Sequence, residues 1–348
     1  MSTSTFANAI LDAFTTAMTI DNSVICFGLG VTDPKGVFGT TVGLEEKFGE
    51  ERVFDMPTSE NAMTGVAIGA SINGLRPILT HQRMDFALLS MDQIVNNAAK
   101  WYFMFGGQRS VPITIRMILG RGWGQGPTHS QNLQAWFSHI PGLKVVMPAT
   151  AYDAKGLLLS SIFDDDPVIF LEHRWLHNLE SEVPAQDYRV PIGKAQILCE
   201  GAAATVVASS YMTIEALHAV KHLQKQGIEC DLIDLRTIKP IDWTTINTSV
   251  KKTGRALVLD SGFSTGSISS EIIAQITKSC WNELKCPPER LAMPDYPEST
   301  SVALTESYHI RAETIALSLS QMLGAKVETR SLINQRKHPH DVPGDWFV

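Results

Sequence analysis

Hydrophobic positions at the start of the chain follow a helical spacing and then give way to short uninterrupted runs. Phe6, Ile10, Phe14 and Met18 recur at that spacing and predict a first helix. The predicted strands are VICF (24–27), RVFD (52–55), PILT (77–80), VPITIRMI (111–118), LKVVM (143–147) and PVIFL (167–171), and the predicted helices lie near 60–73, 88–105 and 151–163. Strands that lack alternation and are separated by helices are typical of a parallel sheet covered on both faces.

The pattern is interrupted by a polar stretch from Asn178 to Pro191, where no long apolar element fits. A second alternating series follows. Its strands are predicted at 204–210, 230–236, 256–260 and 291–295, and its helices at 213–226, 242–251, 267–284 and 306–323. We therefore predict two doubly wound α/β domains. The predicted division is a first domain at 1–180, a linker at 181–194, a second domain at 195–325 and a polar tail at 326–348, which either wraps around a neighbour or stays loose.

Composition narrows the class of protein. Among 348 residues, 44% are hydrophobic and 19% are charged, which excludes a disordered chain. The net charge of −7 argues against nucleic acid or an anionic membrane as the main partner. Five cysteines without a CxxC pair argue against a disulfide framework or a structural zinc site. With neither a long apolar run nor a signal-peptide pattern, we expect a soluble cytoplasmic protein.

Two glycine-rich segments do not fit nucleotide-binding loops. Gly28 and Gly30 follow a predicted strand, but Asp33 stands where a dinucleotide site needs its third glycine. The segment GRGWGQGP (120–127) lacks the Gly-Lys-Ser/Thr ending of a phosphate loop. We interpret it as a mobile loop beside a site.

The connection between the strand at 52–55 and the next helix is more informative. Thr58 or Ser59 can cap a helix that begins at Glu60 and consists mostly of small and apolar residues. Glu60 then lies at the carboxyl end of a parallel strand, where open α/β sheets bind ligands. The pattern alone leaves two interpretations, a ligand-binding carboxylate or a residue that complements the helix dipole, and it favours the second.

Longer segments carry a family resemblance. DMPTSENAMTGVAIGA (55–70), DFALLSMDQIVNNAAK (85–100), the stretch 129–158 and DDDPVIFLEH (164–173) occur in one order. Together they resemble the beta subunit of thiamine-diphosphate-dependent 2-oxo acid dehydrogenases of the pyruvate and branched-chain type. IDLRTIKPID (233–242) and KTGRALVLDSG (252–262) resemble its second domain. The resemblance implies a thiamine-pyrimidine-binding, transketolase-like N-terminal domain and a transketolase-like C-terminal domain.

The resemblance also implies roles for individual residues. Glu60 would hydrogen-bond the N1′ atom of the cofactor's aminopyrimidine and so help to remove the proton of the thiazolium carbon. Phe86 would pack on the aminopyrimidine, and Met56 and Thr58 would line the cofactor, with Thr58 replacing a usual apolar residue. His129 would lie near the substrate carboxylate and the proton-transfer path. On the pattern alone, ordinary core packing is the default explanation of Phe86.

A potassium ion is a further implication of the resemblance. The positions that match potassium ligands of some relatives are Ile113, Ser161, Ile162, Asp164 and Asp166. The alternative is that the two acids simply end a helix.

Two positions depart from the family pattern. Leu29 replaces a glutamate that joins a proton path between two active sites, so any coupling here needs another route. Thr80 replaces an acid and stands beside His81 and Arg83. These two basic residues suit an anionic acceptor, or face a partner subunit.

No Gly-Asp-Gly, the family's magnesium–diphosphate motif, occurs in the sequence. The resemblance therefore implies an alpha subunit that holds the diphosphate and Mg²⁺, in an α2β2 heterotetramer. The first hypothesis is a dehydrogenase beta subunit that decarboxylates a small 2-oxo acid and passes the acyl group to a lipoyl-bearing acyltransferase. The second is a two-component carboligase or transketolase-like enzyme that needs no lipoyl protein. The third is a non-catalytic scaffold subunit.

Overall fold

A computed structural model describes residues 2–122, 124–305 and 307–335 of the chain. Up to residue 183 the elements are β1 (Ser2–Thr5), α1 (Phe6–Ile20), β2 (Val24–Gly28), α2 (Leu44–Phe48), β3 (Val53–Asp55), α3 (Glu60–Ile72), β4 (Arg76–His81), α4 (Met84–Ala87), α5 (Ala99–Met104), β5 (Thr114–Leu119), α6 (Gln134–His139), β6 (Lys144–Val146), α7 (Ala151–Ile162), β7 (Val168–His173) and β8 (Glu180–Val183). The later elements are β9 (Gln196–Cys199), β10 (Thr205–Ala208), α8 (Tyr211–Gln224), β11 (Asp231–Asp234), β12 (Thr237–Lys239), α9 (Trp243–Thr253), β13 (Ala256–Phe263), α10 (Ile268–Ser279), β14 (Glu289–Met293), α11 (Ala312–Leu323) and α12 (Arg330–Asn334).

The described chain divides into two compact units. The N-terminal unit comprises the residues up to Gly120 together with Trp136–Ile192, and the C-terminal unit comprises Arg121–Ala135 together with the chain from Gly193 onward. Each unit contains a mainly parallel sheet with helices between its strands. The predicted fold class of two doubly wound α/β domains is confirmed.

Six strands of the N-terminal unit form a parallel sheet in the order β6-β7-β5-β4-β2-β3. Strands β2, β5 and β7 are buried along their whole length, which explains their uninterrupted apolar runs. Thr5 and Thr150 cap α1 and α7, since each hydroxyl accepts a hydrogen bond from a backbone N–H of the first turn. Gly28 pairs with Thr80 so closely that a Cβ at residue 28 would lie 2.1 Å from the Thr80 carbonyl oxygen.

The C-terminal unit contains a five-stranded sheet in the order β14-β13-β10-β11-β9. Its strands are parallel except β9, which pairs with β11 in the antiparallel direction at one edge. Helices α8 and α9 both pack against the central strand β10, whose four residues are all buried. This arrangement agrees with the alternating pattern predicted for the second half of the chain.

Three segments differ in detail from the sequence expectations. The helix predicted at 88–105 is divided into a 3₁₀ turn at Leu88–Ser90, a π-helix at Gln93–Ala98 and α5. The predicted linker begins with β8, which pairs with β1 in the antiparallel direction. The last helix begins at Ala312, and Glu306, where it was expected to begin, lies outside the described residues, as does the tail from 336 onward.

Two chemical features of the fold bear on the sequence expectations. Within the described residues, no helix combines the length and the apolar character that a membrane crossing requires. All five cysteines are free thiols, and burial raises the pKa of Cys26 to about 12. The three buried thiols, those of Cys26, Cys230 and Cys280, therefore pack as small apolar side chains.

Candidate functional site

The carboxyl edge of the N-terminal sheet carries most of the predicted site residues. Strands β3, β4 and β7 end at Asp55, His81 and His173, and because the strands are parallel these ends lie along one edge of the sheet. The connection after β3 leads to Glu60, and the connection after β4 leads to Phe86. The fold therefore brings the predicted cofactor-binding segments to the same edge.

Glu60 is the first residue of α3 and only 5% of its surface is exposed. Ser59, which precedes the helix, makes no side-chain capping bond, so Glu60 is the acidic group at this helix amino terminus. The neighbouring Asp55 instead accepts a hydrogen bond of 2.8 Å from the Val31 backbone N–H. Glu60 thus combines burial with a favourable helix dipole, a suitable environment for a carboxylate that binds a ring nitrogen.

The other predicted cofactor-binding residues differ in exposure. Met56 is buried, Thr58 is exposed, and Phe86 in α4 is half-buried. A buried carboxylate and a partly exposed aromatic ring are chemically suited to bind an aminopyrimidine, one by hydrogen bonding and the other by packing.

His129 lies in the C-terminal unit and is exposed. Its Nδ1 atom lies 3.1 Å from the Thr128 hydroxyl oxygen. The preceding glycine-rich segment is anchored by the buried Arg121, which donates to the Gln125 carbonyl at 3.0 Å and to the Thr300 carbonyl at 3.1 Å. Trp123 of this segment lies outside the described residues.

A cavity of about 420 Å³ opens in the C-terminal unit beside the segment that carries His129. Asn132, Asp295, Tyr296 and Tyr308 are among the residues that line it. The buried Oδ1 atom of Asn132 has no hydrogen-bond partner among the described residues. The sequence analysis missed this cavity because its walls come from four separate segments and no single segment has a recognisable motif.

The sequence analysis also missed a buried ionic cluster below the carboxyl edge of the N-terminal sheet. Arg116 donates to Glu172 through Nε at 3.0 Å and through Nη2, and Nη2 also donates to the Thr40 hydroxyl at 2.7 Å. His177 completes the cluster with its Nε2 atom 3.0 Å from Glu172. Arg116 and Glu172 have no exposed side-chain surface.

The charge of Arg116 determines the protonation of this cluster. Burial by itself raises the pKa of Glu172, but the Arg116 charge and the hydrogen bond from His177 outweigh it and lower the pKa to about 2. Burial lowers the pKa of His177, so the imidazole is neutral and donates from Nε2 to the carboxylate. The cluster is therefore a fixed Arg–Glu ion pair with one neutral histidine.

The turn that matches potassium ligands in relatives is already paired with protein cations. Lys144 Nζ lies 2.7 Å from Asp164 Oδ1 and 3.0 Å from Asp166 Oδ2. Arg76 donates to the Ile162 carbonyl at 3.2 Å and to the Asp164 carbonyl at 2.9 Å. The positive charge that the resemblance assigns to potassium is here supplied by lysine and arginine, so this turn does not fit a potassium ion.

The two departures from the family pattern lie at the ends of central strands. Leu29 is half-buried in the turn after β2, and Thr80 is fully buried near the end of β4. Among the described residues, no group of three or more histidine, cysteine, aspartate or glutamate side chains is arranged to hold a metal ion.

Comparison with known sequences now defines the class of protein. The family described as "Transketolase, pyrimidine binding domain" matches residues 2–178, and "Transketolase, C-terminal domain" matches residues 193–315. A split-gene transketolase, named as an inactive beta4 tetramer, superimposes with a TM-score of 0.75 and 23% identity over 92% of this chain and 99% of its own. That likeness shows a transketolase fold.

Curated relatives narrow the family further. The subunit beta of acetoin:2,6-dichlorophenolindophenol oxidoreductase from Cupriavidus necator is 42% identical over 91% of this chain and 97% of its own length. The 2-oxoisovalerate dehydrogenase subunit beta of Bacillus subtilis is 42% identical, over 88% and 94% of the two chains. The pyruvate dehydrogenase E1 component subunit beta of Bacillus subtilis is 39% identical, over 85% and 91%. The chain belongs to this family of transketolase-like dehydrogenase E1 beta subunits, which confirms the resemblance seen in the sequence.

Proposed function

We propose that this protein is the beta subunit of a two-component thiamine-diphosphate-dependent 2-oxo acid dehydrogenase. With an alpha subunit it decarboxylates a small 2-oxo acid and transfers the acyl group to the lipoyl group of an acyltransferase. The observation that carries the proposal is the buried Glu60 carboxylate at the amino terminus of α3, on the carboxyl edge of the sheet. It occurs in a chain about as long as relatives that are themselves beta subunits.

Thiamine diphosphate is the cofactor that suits these residues. When bound, it supplies a thiazolium carbon that, after losing its proton, attacks the 2-oxo acid and holds the electrons released with carbon dioxide. Glu60 would accept a hydrogen bond from the aminopyrimidine and keep negative charge at that ring nitrogen. Phe86 would pack on the ring, and Met56 and Thr58 would bound its pocket. Potassium is not part of the proposal, because Lys144 and Arg76 already bind the oxygen atoms of the turn that matches its ligands.

The remaining roles depend on assembly with other subunits. We assign His129 to orientation of the substrate carboxylate and to proton transfer, since an exposed imidazole is available to a bound substrate. The diphosphate and Mg²⁺ would be held by the alpha subunit in an α2β2 heterotetramer. The predicted domain division and the cytoplasmic location belong to the same proposal, and the five free thiols agree with a reducing compartment.

The test is the variant Glu60→Gln in the complex reconstituted with the alpha subunit. Glutamine keeps the volume and a hydrogen bond but cannot hold the negative charge that draws a proton. Exchange of the cofactor C2 proton, followed by NMR in deuterated buffer at equal cofactor occupancy, should slow by about 100-fold or more. The matched control is Glu45→Gln, an exposed glutamate in the first turn of α2, which should leave the exchange rate unchanged.

The outcomes separate the hypotheses. If Glu60 only complements the helix dipole, the glutamine variant loses less than about 1 kcal/mol of stability and exchanges at the wild-type rate. That result would remove Glu60 from the mechanism. A reconstituted wild-type complex that shows no C2 exchange would support the non-catalytic scaffold instead.

A carboligase that acts without lipoyl protein is the second candidate. The basic residues His81 and Arg83 at the carboxyl edge favour it, because a small anionic acceptor could bind there. Product formation from a 2-oxo acid and an aldehyde or keto acceptor in the absence of lipoyl protein would support the carboligase hypothesis. A strict requirement for the lipoyl acceptor would support the dehydrogenase.

A further inference from the structure

The loop between β2 and α2 places Phe38 over two arginines at the carboxyl edge of the N-terminal sheet. The Arg83 guanidinium carbon lies 5.4 Å from the centre of the Phe38 ring, and that of Arg174 lies 4.8 Å from it. Phe38 adopts a left-handed backbone conformation with a φ of 51°, which favours glycine. A strained aromatic residue over two cations points to a functional role for this loop.

The arginines outnumber the carboxylates that surround them. Arg83 follows β4, Arg174 follows β7, and Arg116 lies below them in β5. Asp85 acts on the charge of Arg83, and Glu172, which Arg116 and His177 already bind, acts on the charge of Arg174. Three arginines therefore face two carboxylates, although Arg83 is only 2% exposed. An excess of buried positive charge is costly unless an anion balances it.

The pKa of Arg83 responds to the neighbouring positive charge. Burial and the nearby Arg174 charge lower the pKa of Arg83 to about 10, while Asp85 acts in the opposite direction. Arg83 donates to the Gly120 carbonyl at 2.8 Å through Nη1, which fixes the guanidinium at the edge of the sheet. Both guanidiniums therefore lie against the same aromatic ring, close enough for the charge of one to act on the other.

His81 adds an unsatisfied hydrogen-bonding group to this edge. It is the last residue of β4 and 2% exposed, and its Nε2 atom has no hydrogen-bond partner among the described residues. The Nε atom of Arg174 likewise has none. A bound oxyanion would supply acceptor oxygens to both groups and the missing negative charge.

We propose that Arg83, Arg174 and His81 form an oxyanion-binding site that Phe38 covers in the free protein. The ligand is a carboxylate or phosphate group on the substrate or acceptor, distinct from the 2-oxo acid carboxylate assigned to His129. Binding moves the Phe38 ring aside, because both guanidiniums contact its face. The assignment of this group to the substrate rests on the proposed function, whereas anion binding itself does not.

The test measures anion binding to the full chain without cofactor or alpha subunit. Isothermal titration with orthophosphate, and separately with succinate, at constant ionic strength should show saturable binding of at least one of them. Arg174→Gln and Arg83→Gln should each weaken that binding by about tenfold or more, as expected for a charge-assisted hydrogen bond. Arg109→Gln removes an exposed arginine elsewhere and should leave it unchanged. Preference for orthophosphate would indicate a phosphorylated ligand, and preference for succinate a second carboxylate.

A second variant distinguishes a binding site from a structural cluster. Phe38→Gly relieves the left-handed backbone and uncovers the arginines, so anion binding should tighten by roughly tenfold. A purely structural Phe38 predicts no such gain. The proposal is overturned if neither anion binds, if both arginine variants bind as the wild type does, or if Phe38→Gly leaves affinity unchanged. If Arg83→Gln does not fold, Arg174→Gln and Phe38→Gly still decide the question. Failure here with normal C2 exchange in the reconstituted enzyme would leave the proposed function standing.

Discussion

Glu172→Gln tests whether the buried ion pair stabilises the N-terminal unit. In the native protein the Glu172 carboxylate accepts two hydrogen bonds from Arg116 and one from His177, with no side-chain exposure of Arg116 or Glu172. Glutamine keeps the shape but removes the charge and turns an amide N–H₂ towards one of these donors. Arg116 is then left as a buried cation without its partner.

The expected loss is large. Breaking one partner of a buried pair costs about 3–5 kcal/mol. The pKa of Glu172, lowered from 4.5 to about 2, leads to a similar magnitude of about 3 kcal/mol. Because the pKa of Glu172 is lower in the folded protein than in the unfolded chain, its carboxylate stabilises the folded state above pH 4.5. This stabilisation is lost as the pH falls through 2.

Urea unfolding at neutral pH, followed by circular dichroism, measures the change in the free energy of unfolding. Hydrogen exchange of peptides from β5 and β7 assigns that change to the N-terminal unit. The matched control is Asp165→Asn, because Asp165 pairs with Arg76 at 2.8 Å but is 75% exposed, and it should cost less than about 1 kcal/mol. A loss below about 1 kcal/mol for Glu172→Gln, with an unchanged m-value, would refute the reasoning.

Two further predictions concern the central strands. Burial lowers the pKa of His81 from 6.5 to about 4. As the pH falls, His81 therefore becomes protonated in the unfolded chain before it does in the folded protein. The free energy of unfolding consequently decreases between pH 6.5 and 4. His81→Asn should reduce this fall by up to about 3 kcal/mol in pH-dependent urea unfolding. Gly28→Ala places a Cβ 2.1 Å from the Thr80 carbonyl oxygen and should cost about 1–3 kcal/mol or more. Gly69→Ala in α3, where a Cβ has no neighbour within 4 Å, should be neutral or stabilising, and equal unfolding midpoints for the two alanine variants would contradict the packing argument.

Local signals determined the elements that position Glu60. An apolar strand, a short polar connection and a helix of small residues are adjacent in the sequence, so their order places a carboxylate at a strand end without knowledge of distant contacts. The same reasoning predicted the parallel strands, because continuous apolar runs require burial on both faces. The helix expected at 88–105 was less accurate, since helical spacing alone does not determine whether backbone N–H groups bond three, four or five residues back.

The sequence by itself thus determined the class of fold, the family and the segment that carries Glu60. Only the tertiary structure determined which charged residues are buried together near the carboxyl edge. Arg116 pairs in register with Phe170 across neighbouring parallel strands, so Glu172 lies two residues further along on the same face. Phe38 meets Arg83 and Arg174 only because a loop folds over the ends of β4 and β7. Contacts between residues 45 to 136 positions apart depend on sheet register and loop path, which local periodicity does not encode.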